Sequence, residues 1–319
     1  MAAISLMIEG QQGLTWKRWS TLVELAETLG FAGLFRSDHF TEPVGPLQDS
    51  LEMLVSLAHV AERTQRIHFG PLVAPFSFRD PIMLARQAAA LDDLSDGRMI
   101  LGVGAGWQDR EHAMFGYHLG DIKTRMARFE EGLEVITQLL HSTKPTTFEG
   151  HFYQLRDAVL LPHPTHAGGP RILIGGNGMK RTLPLTAHYA DIWNGVFISA
   201  EGFKERSEAL DTLTKEAGRE PSSLKRTAMI TLVYARDEQE LTQLLQKRRQ
   251  QPELANLSLA ETSQYLAAHG QAIAGTAEQV RQHIQTYIQA GAEEMMLQWL
   301  DQTDTVRLQD FAQNVLKRL

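Results

Sequence analysis

Two glycine-rich turns follow short apolar stretches and could bring backbone amides to a bound group. Residues 101–107 read Leu-Gly-Val-Gly-Ala-Gly-Trp, and residues 172–178 read Ile-Leu-Ile-Gly-Gly-Asn-Gly. Glycine lets the chain adopt positive φ, and it lets amide N–H groups approach a ligand with no Cβ in the way. The second turn leads into a helix-like segment, whose first amides and dipole favour a phosphate. Two such strand ends in one chain predict one shared ligand site.

The two turns predict different contacts with the ligand. The second turn is the predicted phosphate site, and the residues concerned are Gly175, Gly176, Asn177 and Gly178. The first turn is predicted to border a flat ring, and its residues are Gly104, Ala105, Gly106 and Trp107. Stacking against a ring requires a flat apolar surface, which an indole supplies. An ordinary strand-to-helix turn and a core tryptophan without a ligand remain the alternatives.

A third group of candidates could exchange protons. Asp38 and His39 come directly after a predicted strand, where they would reach the same cavity. An imidazole gains or loses a proton near neutral pH, so His39 is the first catalytic candidate. The alternative is a buried histidine that caps a strand end. Glu111 and Glu42 could each supply a partner carboxylate, or both could be solvated loop charges.

The composition excludes several classes of protein. The 319 residues, 43% of them hydrophobic, can bury one large core or two modest ones. Lys and Arg total 31 against 38 Asp and Glu, a net charge of −7 that argues against general affinity for nucleic acid or membrane surfaces. The chain has no cysteine, which excludes disulfides and thiolate chemistry. With neither a signal-peptide pattern nor a long apolar run, a cytoplasmic protein acting on a small molecule is expected.

Several catalytic motifs are absent from the sequence. There is no Gly-x-Ser-x-Gly elbow, no His-Glu-x-x-His and no phosphate-binding P-loop. His151, His163 and His166 lie near one another, but neither cysteines nor paired carboxylates accompany them at ligand spacing, so no metal site is predicted. A phosphate-binding barrel of isomerase type remains open, because the turn at 175–178 alone could hold a sugar phosphate.

Short apolar runs alternate with longer segments of helical period along the whole chain. The predicted strands cover 4–8, 32–35, 67–73, 99–103, 172–174, 191–193, 228–234 and 294–298. The predicted helices cover 15–29, 50–63, 81–94, 124–140, 180–188, 201–217, 238–248, 277–290 and 306–316. Gly30 suits a helix C-cap, and Asp80 followed by a proline suits a helix start.

About eight strand-and-helix pairs without a break in composition favour one architecture. They predict an α/β fold, a single (β/α)₈ TIM barrel over residues 1–319, rather than a doubly wound sheet. In such a barrel the chemistry lies at the carboxyl ends of the strands, where the glycine turns and His39 are found. Residues 249–275 fit no strand and are predicted to form a helical insertion near the mouth, as a lid.

Taken together, the motifs resemble those of a known family, the bacterial luciferase-like flavin-dependent oxidoreductases, and in particular their coenzyme F420-dependent branch. The segments that carry the resemblance are 31–40, 91–98, 101–107 with Glu111 following, 174–178 and 189–194, with 275–280 and 295–299 later. They occur in the same order and at spacings compatible with a barrel. The resemblance runs from about residue 2 to about residue 300.

The resemblance implies a (β/α)₈ barrel that holds a flavin or a 5-deazaflavin in a deep cavity, often as a homodimer. It places the pair Asp38 and His39 beside the cofactor ring and the turn 104–107 against the ring or its ribityl chain. It also implies a non-proline cis peptide behind the ring, which is predicted between Val73 and Ala74. The activity that it implies is oxidation or reduction of a small organic substrate.

Two cofactors fit this resemblance. Coenzyme F420 would make the protein a hydride-transferring dehydrogenase or reductase, and the strand end 37–40 with the turn 104–107 favours it. FMN would allow a luciferase-like monooxygenase. A flavin-binding barrel without turnover is a further alternative from a different class.

Overall fold

The computed structural model describes residues 3–166 and 168–319 and consists of alternating strands and helices. The strands are β1 Ala3–Ile8, β2 Gly33–Arg36, β3 His68–Pro71, β4 Ala74–Pro75, β5 Ile100–Gly104, β6 Thr146–Glu149, β7 Gln154–Ala158, β8 Arg171–Gly175, β9 Ile192–Val196, β10 Lys225–Tyr234, β11 Ala272–Gly275 and β12 Glu294–Gln298. The helices are α1 Trp16–Leu29, α2 Met53–Arg63, α3 Pro81–Leu94, α4 Asp109–Phe115, α5 Ile122–His141, α6 Thr182–Tyr189, α7 Ala200–Glu216, α8 Glu238–Arg248, α9 Leu259–Ala268, α10 Ala277–Gln289 and α11 Thr305–Asn314. No helix among the described residues is long and apolar enough to span a membrane.

The main sheet is parallel and closes on itself as a TIM barrel. Its strand order is β3-β2-β1-β12-β10-β9-β8-β5-β4, and β11 pairs with β10 outside this path. The ring closes where Phe69 of β3 bridges to Met99, next to β5. Because β3 and β4 are successive segments of one strand position, the ring has eight positions, as the sequence predicts. Strands β6 and β7 form a separate antiparallel hairpin.

The local sequence explains why the elements begin and end where they do. Most barrel strands are buried on both faces, which matches their continuous apolar runs. Asp80 caps α3 by accepting a hydrogen bond from the amide of Met83 at 2.9 Å, and Pro81 occupies the first turn. Gly30 ends α1 with φ of 99°, a left-handed conformation that favours glycine. Both predicted helix boundaries are confirmed.

The barrel interior is filled by its own layer of side chains. Leu173, Ile192, Ile100, Phe35 and Met296 pack there, together with Met7, Leu72 and Met229. The last three also line the cavity at the mouth. The packed interior is therefore the floor on which the candidate site lies.

The segment predicted as an insertion contains a strand that the sequence pattern missed. The prediction that residues 249–275 form no strand is wrong at its end, because β11 pairs in parallel with β10 from Thr231 opposite Ala272 to Tyr234 opposite Gly275. The physical reason is that β10 extends past its pairing with β9, which ends at Met229. The end of β10 therefore has free backbone N–H and C=O groups on that side, and a strand of four residues is long enough to pair with them. The single domain and the lid remain predictions.

The predicted cis peptide is displaced by one residue. It lies between Leu72 and Val73, so the prediction at Val73 and Ala74 is wrong. Ala74 already pairs with Val103 in the regular ladder between β4 and β5, and Leu72 still donates its amide to the carbonyl oxygen of Arg36 at 2.7 Å. The link between the two strand segments thus consists of Leu72 and Val73, and the cis peptide bond joins these two residues.

The interior packing predicts which substitutions destabilise the barrel. Leu173 is fully buried in the barrel interior, and Leu173→Ala should lower the free energy of unfolding by about 2–5 kcal/mol through lost contacts and a cavity. Leu47 is exposed, and Leu47→Ala should cost less than about 0.5 kcal/mol. Denaturant titration of both variants measures this, and equal losses would contradict the proposed interior packing.

Candidate functional site

A cavity of about 430 Å³ opens at the carboxyl ends of the barrel strands. Met7, Leu72 and Met229 form an apolar floor, and Glu9, Ser37 and Phe197 contribute to the walls. The predicted site residues that line it are His39, Val73, Gly106, Trp107, Glu111, Gly175 and Gly176. The structure thus brings parts of all three predicted groups to one cavity of the size that small ligands occupy.

Two aromatic side chains line the cavity while remaining exposed. The residue exposure is 58% for Trp107 and 42% for Phe197. Phe197 has φ of 46°, an uncommon conformation for a residue with a Cβ. Large apolar rings left open at a cavity can cover a flat ligand by stacking. This placement is compatible with the predicted role of Trp107.

Glycines at the strand ends make room for a valine as well as for a ligand. A Cβ at Gly104 would lie 2.7 Å from Cγ2 of Val73, and a Cβ at Gly175 would lie 3.3 Å from its Cγ1. At Gly106, φ is 84° and a Cβ would meet the hydroxyl oxygen of Ser77 at 2.1 Å. Larger residues at Gly104 and Gly106 would therefore collide with the segment that carries Val73 and Ser77.

His39 and Glu111 form a hydrogen-bonded pair at the cavity. Nδ1 of His39 lies 2.9 Å from Oε1 of Glu111, and the other carboxylate oxygen accepts the amide of Phe40 at 2.9 Å. Glu111 is almost fully buried, whereas the side chain of His39 retains 19% exposure. Because a carboxylate only accepts, it fixes the proton on Nδ1 and leaves Nε2 as the free ring nitrogen.

Charges around His39 favour its protonated form. Burial disfavours the imidazolium, but the hydrogen bond and charge of Glu111 outweigh burial and raise the pKa of His39. Glu9 and Asp38 act in the same direction at longer range. The imidazole can therefore accept a proton more readily than a free histidine.

Glu9 is a cavity residue that is not among the predicted site residues. Its carboxylate accepts hydrogen bonds from the side-chain amides of Gln11, at 2.8 Å, and Gln298. Ser37 joins this polar network by donating to the side-chain carbonyl of Gln11 at 2.7 Å. The sequence signal was available, because Glu9 is a carboxylate directly after the first strand.

Several predicted residues lie beside the cavity without lining it. They are Asp38, Ala74, Gly104, Ala105, Asn177 and Gly178. The carboxylate of Asp38 instead accepts two hydrogen bonds from Arg79, at 2.7 Å each. Burial opposes the charge of Arg79, but the contacts with Asp38 outweigh it and raise the pKa of Arg79. Asp38 is thus the buried partner in an ion pair with the partly exposed Arg79, and this pair supports the strand end before His39.

The second glycine turn offers fewer amides than its sequence predicts. The amide of Gly176 donates to the carbonyl oxygen of Asn194 at 3.0 Å, and the side chain of Asn177 exchanges two hydrogen bonds with the backbone of Val196. Within residues 3–166 and 168–319, no protein group accepts the amide of Asn177 or Gly178. These two amides precede α6, whose N-cap Arg181 makes no side-chain cap. They remain available for an anion.

Curated relatives match the chain over part of its length. The chain is 32% identical over 219 residues to the F420-dependent glucose-6-phosphate dehydrogenase of Amycolatopsis mediterranei, covering 66% of this chain and 63% of that protein. It is 34% identical over 157 residues to the 4-hydroxyprotoasukamycin monooxygenase of Streptomyces nodosus, covering 49% and 41%. The chain thus spans less than two thirds of the length of these relatives.

Solved structures share the fold over nearly the whole chain. An F420-dependent secondary alcohol dehydrogenase in complex with an F420-acetone adduct aligns with a TM-score of 0.82 and 19% identity, covering 99% of this chain and 98% of that one. The coenzyme F420-dependent tetrahydromethanopterin reductase of Methanopyrus kandleri aligns with a TM-score of 0.80 and 17% identity, covering 99% of both chains. At these identities the likeness concerns the fold.

The amino-acid sequence also matches a family model. The model of the luciferase-like monooxygenase family matches residues 3–294, which is most of the chain. The resemblance drawn from the strand-end motifs is thereby confirmed. The chain belongs to the luciferase-like monooxygenase family.

Proposed function

We propose that the protein is a cytoplasmic oxidoreductase that transfers a hydride between coenzyme F420 and a small organic substrate. The observation that carries the proposal is the hydrogen-bonded pair of His39 and Glu111, both of which line a mostly apolar cavity at the barrel mouth. The F420-dependent relatives support the choice of cofactor. When bound, a deazaflavin supplies hydride chemistry at a ring carbon.

The proton in this reaction is assigned to His39. Oxidation of an alcohol to a carbonyl removes a hydride from carbon and a proton from oxygen, and Nε2 of His39 takes the proton. Glu111 keeps the ring oriented and stabilises the imidazolium that results. In the reverse direction the imidazolium returns the proton to the carbonyl oxygen.

The cofactor phosphate is assigned to the turn after β8. The unused amides of Asn177 and Gly178 point to an anion site. The cationic residues Lys180 and Arg181 follow shortly after them in the sequence. Trp107 and Phe197 would then cover the ring, while Val73 supports its other side. In this assignment the cavity would hold the ring and the turn after β8 would hold the phosphate.

A second candidate function uses FMN and molecular oxygen. A named monooxygenase among the relatives supports it. The apolar cavity floor would suit either ring system. A barrel that binds a flavin without turnover would retain the same cavity and make no use of His39.

A pair of binding titrations separates these cofactors. We expect F420 to bind the purified cofactor-free protein at least about tenfold more tightly than FMN, a difference of about 1.4 kcal/mol. Cofactor fluorescence measures both affinities under the same conditions. Preference for FMN would favour the monooxygenase, and binding of neither would overturn the proposed function.

Variants of the acid–base pair test the role of His39. We expect His39→Gln to lower the turnover rate by about 10²–10⁴-fold while F420 still binds. His141 is exposed at the end of α5, and His141→Gln serves as the control. Glucose 6-phosphate and a secondary alcohol are the first substrates to assay, and an unchanged rate in His39→Gln would contradict the assignment.

The pair of His39 and Glu111 also predicts how the reaction rate depends on pH. Because Glu111 raises the pKa of His39, Glu111→Gln should move the titration midpoint of the His39 ring to lower pH. Alcohol oxidation requires the neutral ring, so the wild-type rate should rise as pH increases through the His39 pKa. NMR titration of the ring resonances, assigned with His39→Gln, measures the shift independently of turnover.

We also propose that the protein is a homodimer. Support comes from exposed apolar side chains on α1 and α2, namely Trp16 and Val55. The ring of Trp16 contacts His59, which lies one helical turn after Val55 on α2. Light scattering should give twice the mass of one chain, and Val55→Glu should shift the protein toward monomer. Ile122→Glu, at an exposed position on α5, is the control. A monomeric wild type would contradict the proposal.

A further inference from the structure

A second pocket lies beside the mouth and shares none of its lining residues with the main cavity. It has a volume of about 380 Å³ and opens between α8, the end of β10 and the segment after β12. Leu232, Val233, Leu244 and Trp299 supply apolar walls. The cationic side chains that line it are Lys247, Arg248 and Arg307.

One of these cations is already neutralised by the protein. Arg307 donates to Asp301 at 2.8 Å, lies within 4 Å of Asp304 and Glu240, and has its guanidinium over the ring of Trp299. The only carboxylate that lines the pocket, that of Asp301, is therefore engaged with Arg307. The pocket retains the positive charge of its other two cations.

Lys247 and Arg248 have no such partners. Within residues 3–166 and 168–319, neither side chain forms an ion pair with a carboxylate or a hydrogen bond with a protein group. Arg248 is half-buried, and burial lowers its pKa with no opposing charge nearby. A half-buried guanidinium is stabilised by an anion that replaces its lost water.

We propose that this pocket binds a small amphipathic organic anion, a phosphate monoester or a carboxylate. Arg248 and Lys247 pair with the anionic group, and the hydrocarbon part packs against Leu232, Leu244 and Trp299. The site is additional to the proposed hydride transfer, because it uses neither His39 nor Glu111. The volume admits a small molecule rather than a polymer.

The position of the pocket links it to the main cavity without merging the two. Strand β10 lines the main cavity with Met229 and the second pocket with residues 232–234. Trp299 follows Gln298, whose side-chain amide donates to Glu9 in the main cavity. Trp299 of the second pocket is thus the sequence neighbour of a residue in the polar network of the main cavity.

Phenyl phosphate and inorganic phosphate are the probes that test the proposal. We expect calorimetry on the full-length protein to show phenyl phosphate binding more tightly than inorganic phosphate, because only the former can use the apolar walls. Arg248→Gln should weaken phenyl phosphate binding by about tenfold or more, since it removes a charged hydrogen-bond donor. Arg248→Lys should retain part of the affinity, and Lys204→Gln on α7 should bind as wild type does.

Each outcome of this experiment has a distinct meaning. No phenyl phosphate binding to the wild type, or equal binding by Arg248→Gln, would overturn the proposal, as would an equal loss in Lys204→Gln. Repeating the titration with F420 present identifies the source of the anion: competition assigns the pocket to the cofactor's own anionic groups, and unchanged binding assigns it to a separate ligand. Because His39→Gln should bind phenyl phosphate normally, failure of the hydride-transfer proposal leaves this test intact.

Discussion

Closure of the parallel sheet is the constraint on which the site depends. Each strand of a parallel sheet is buried on both faces, and the ring closes only when Phe69 meets Met99 across the last gap. Closure brings all the carboxyl ends to one mouth, so that His39 and Glu111, 72 positions apart in sequence, form one hydrogen-bonded pair. Below them Leu173 and its neighbours fill the ring, and three members of this layer, Met7, Leu72 and Met229, also form the cavity floor.

Much of this arrangement could be predicted from the sequence because burial leaves a local pattern. Strand β5 is an unbroken apolar run, β12 has an apolar centre at residues 295–297, and α3 begins after a capping aspartate with proline at its first position. Strand β11 has only four residues and depends on a free edge of β10, which no local pattern reveals. For the same reason, the sequence could place Asp38 at a strand end but could not show that Arg79, 41 positions later, turns its carboxylate into a buried ion pair.

The glycine turns illustrate how one pattern can serve two physical demands. The prediction from the sequence is that the backbone of these turns approaches a ligand, and Gly175 and Gly176 do line the cavity. Gly104 is different, because its missing Cβ is the space that Cγ2 of Val73 occupies. Val73, in the link between β3 and β4, can therefore line the cavity. Glycine at 104 thus shapes the cavity wall by making room for Val73.

The two pockets at the mouth differ in the charge of the side chains that line them. Glu9 and Glu111 both line the main cavity, and their carboxylates favour an imidazolium at His39. In the second pocket, which residues 232–234 of β10 line, Lys247 and Arg248 of α8 supply the opposite charge beside apolar walls. A substrate hydroxyl and an organic anion therefore meet different environments at the same end of the barrel.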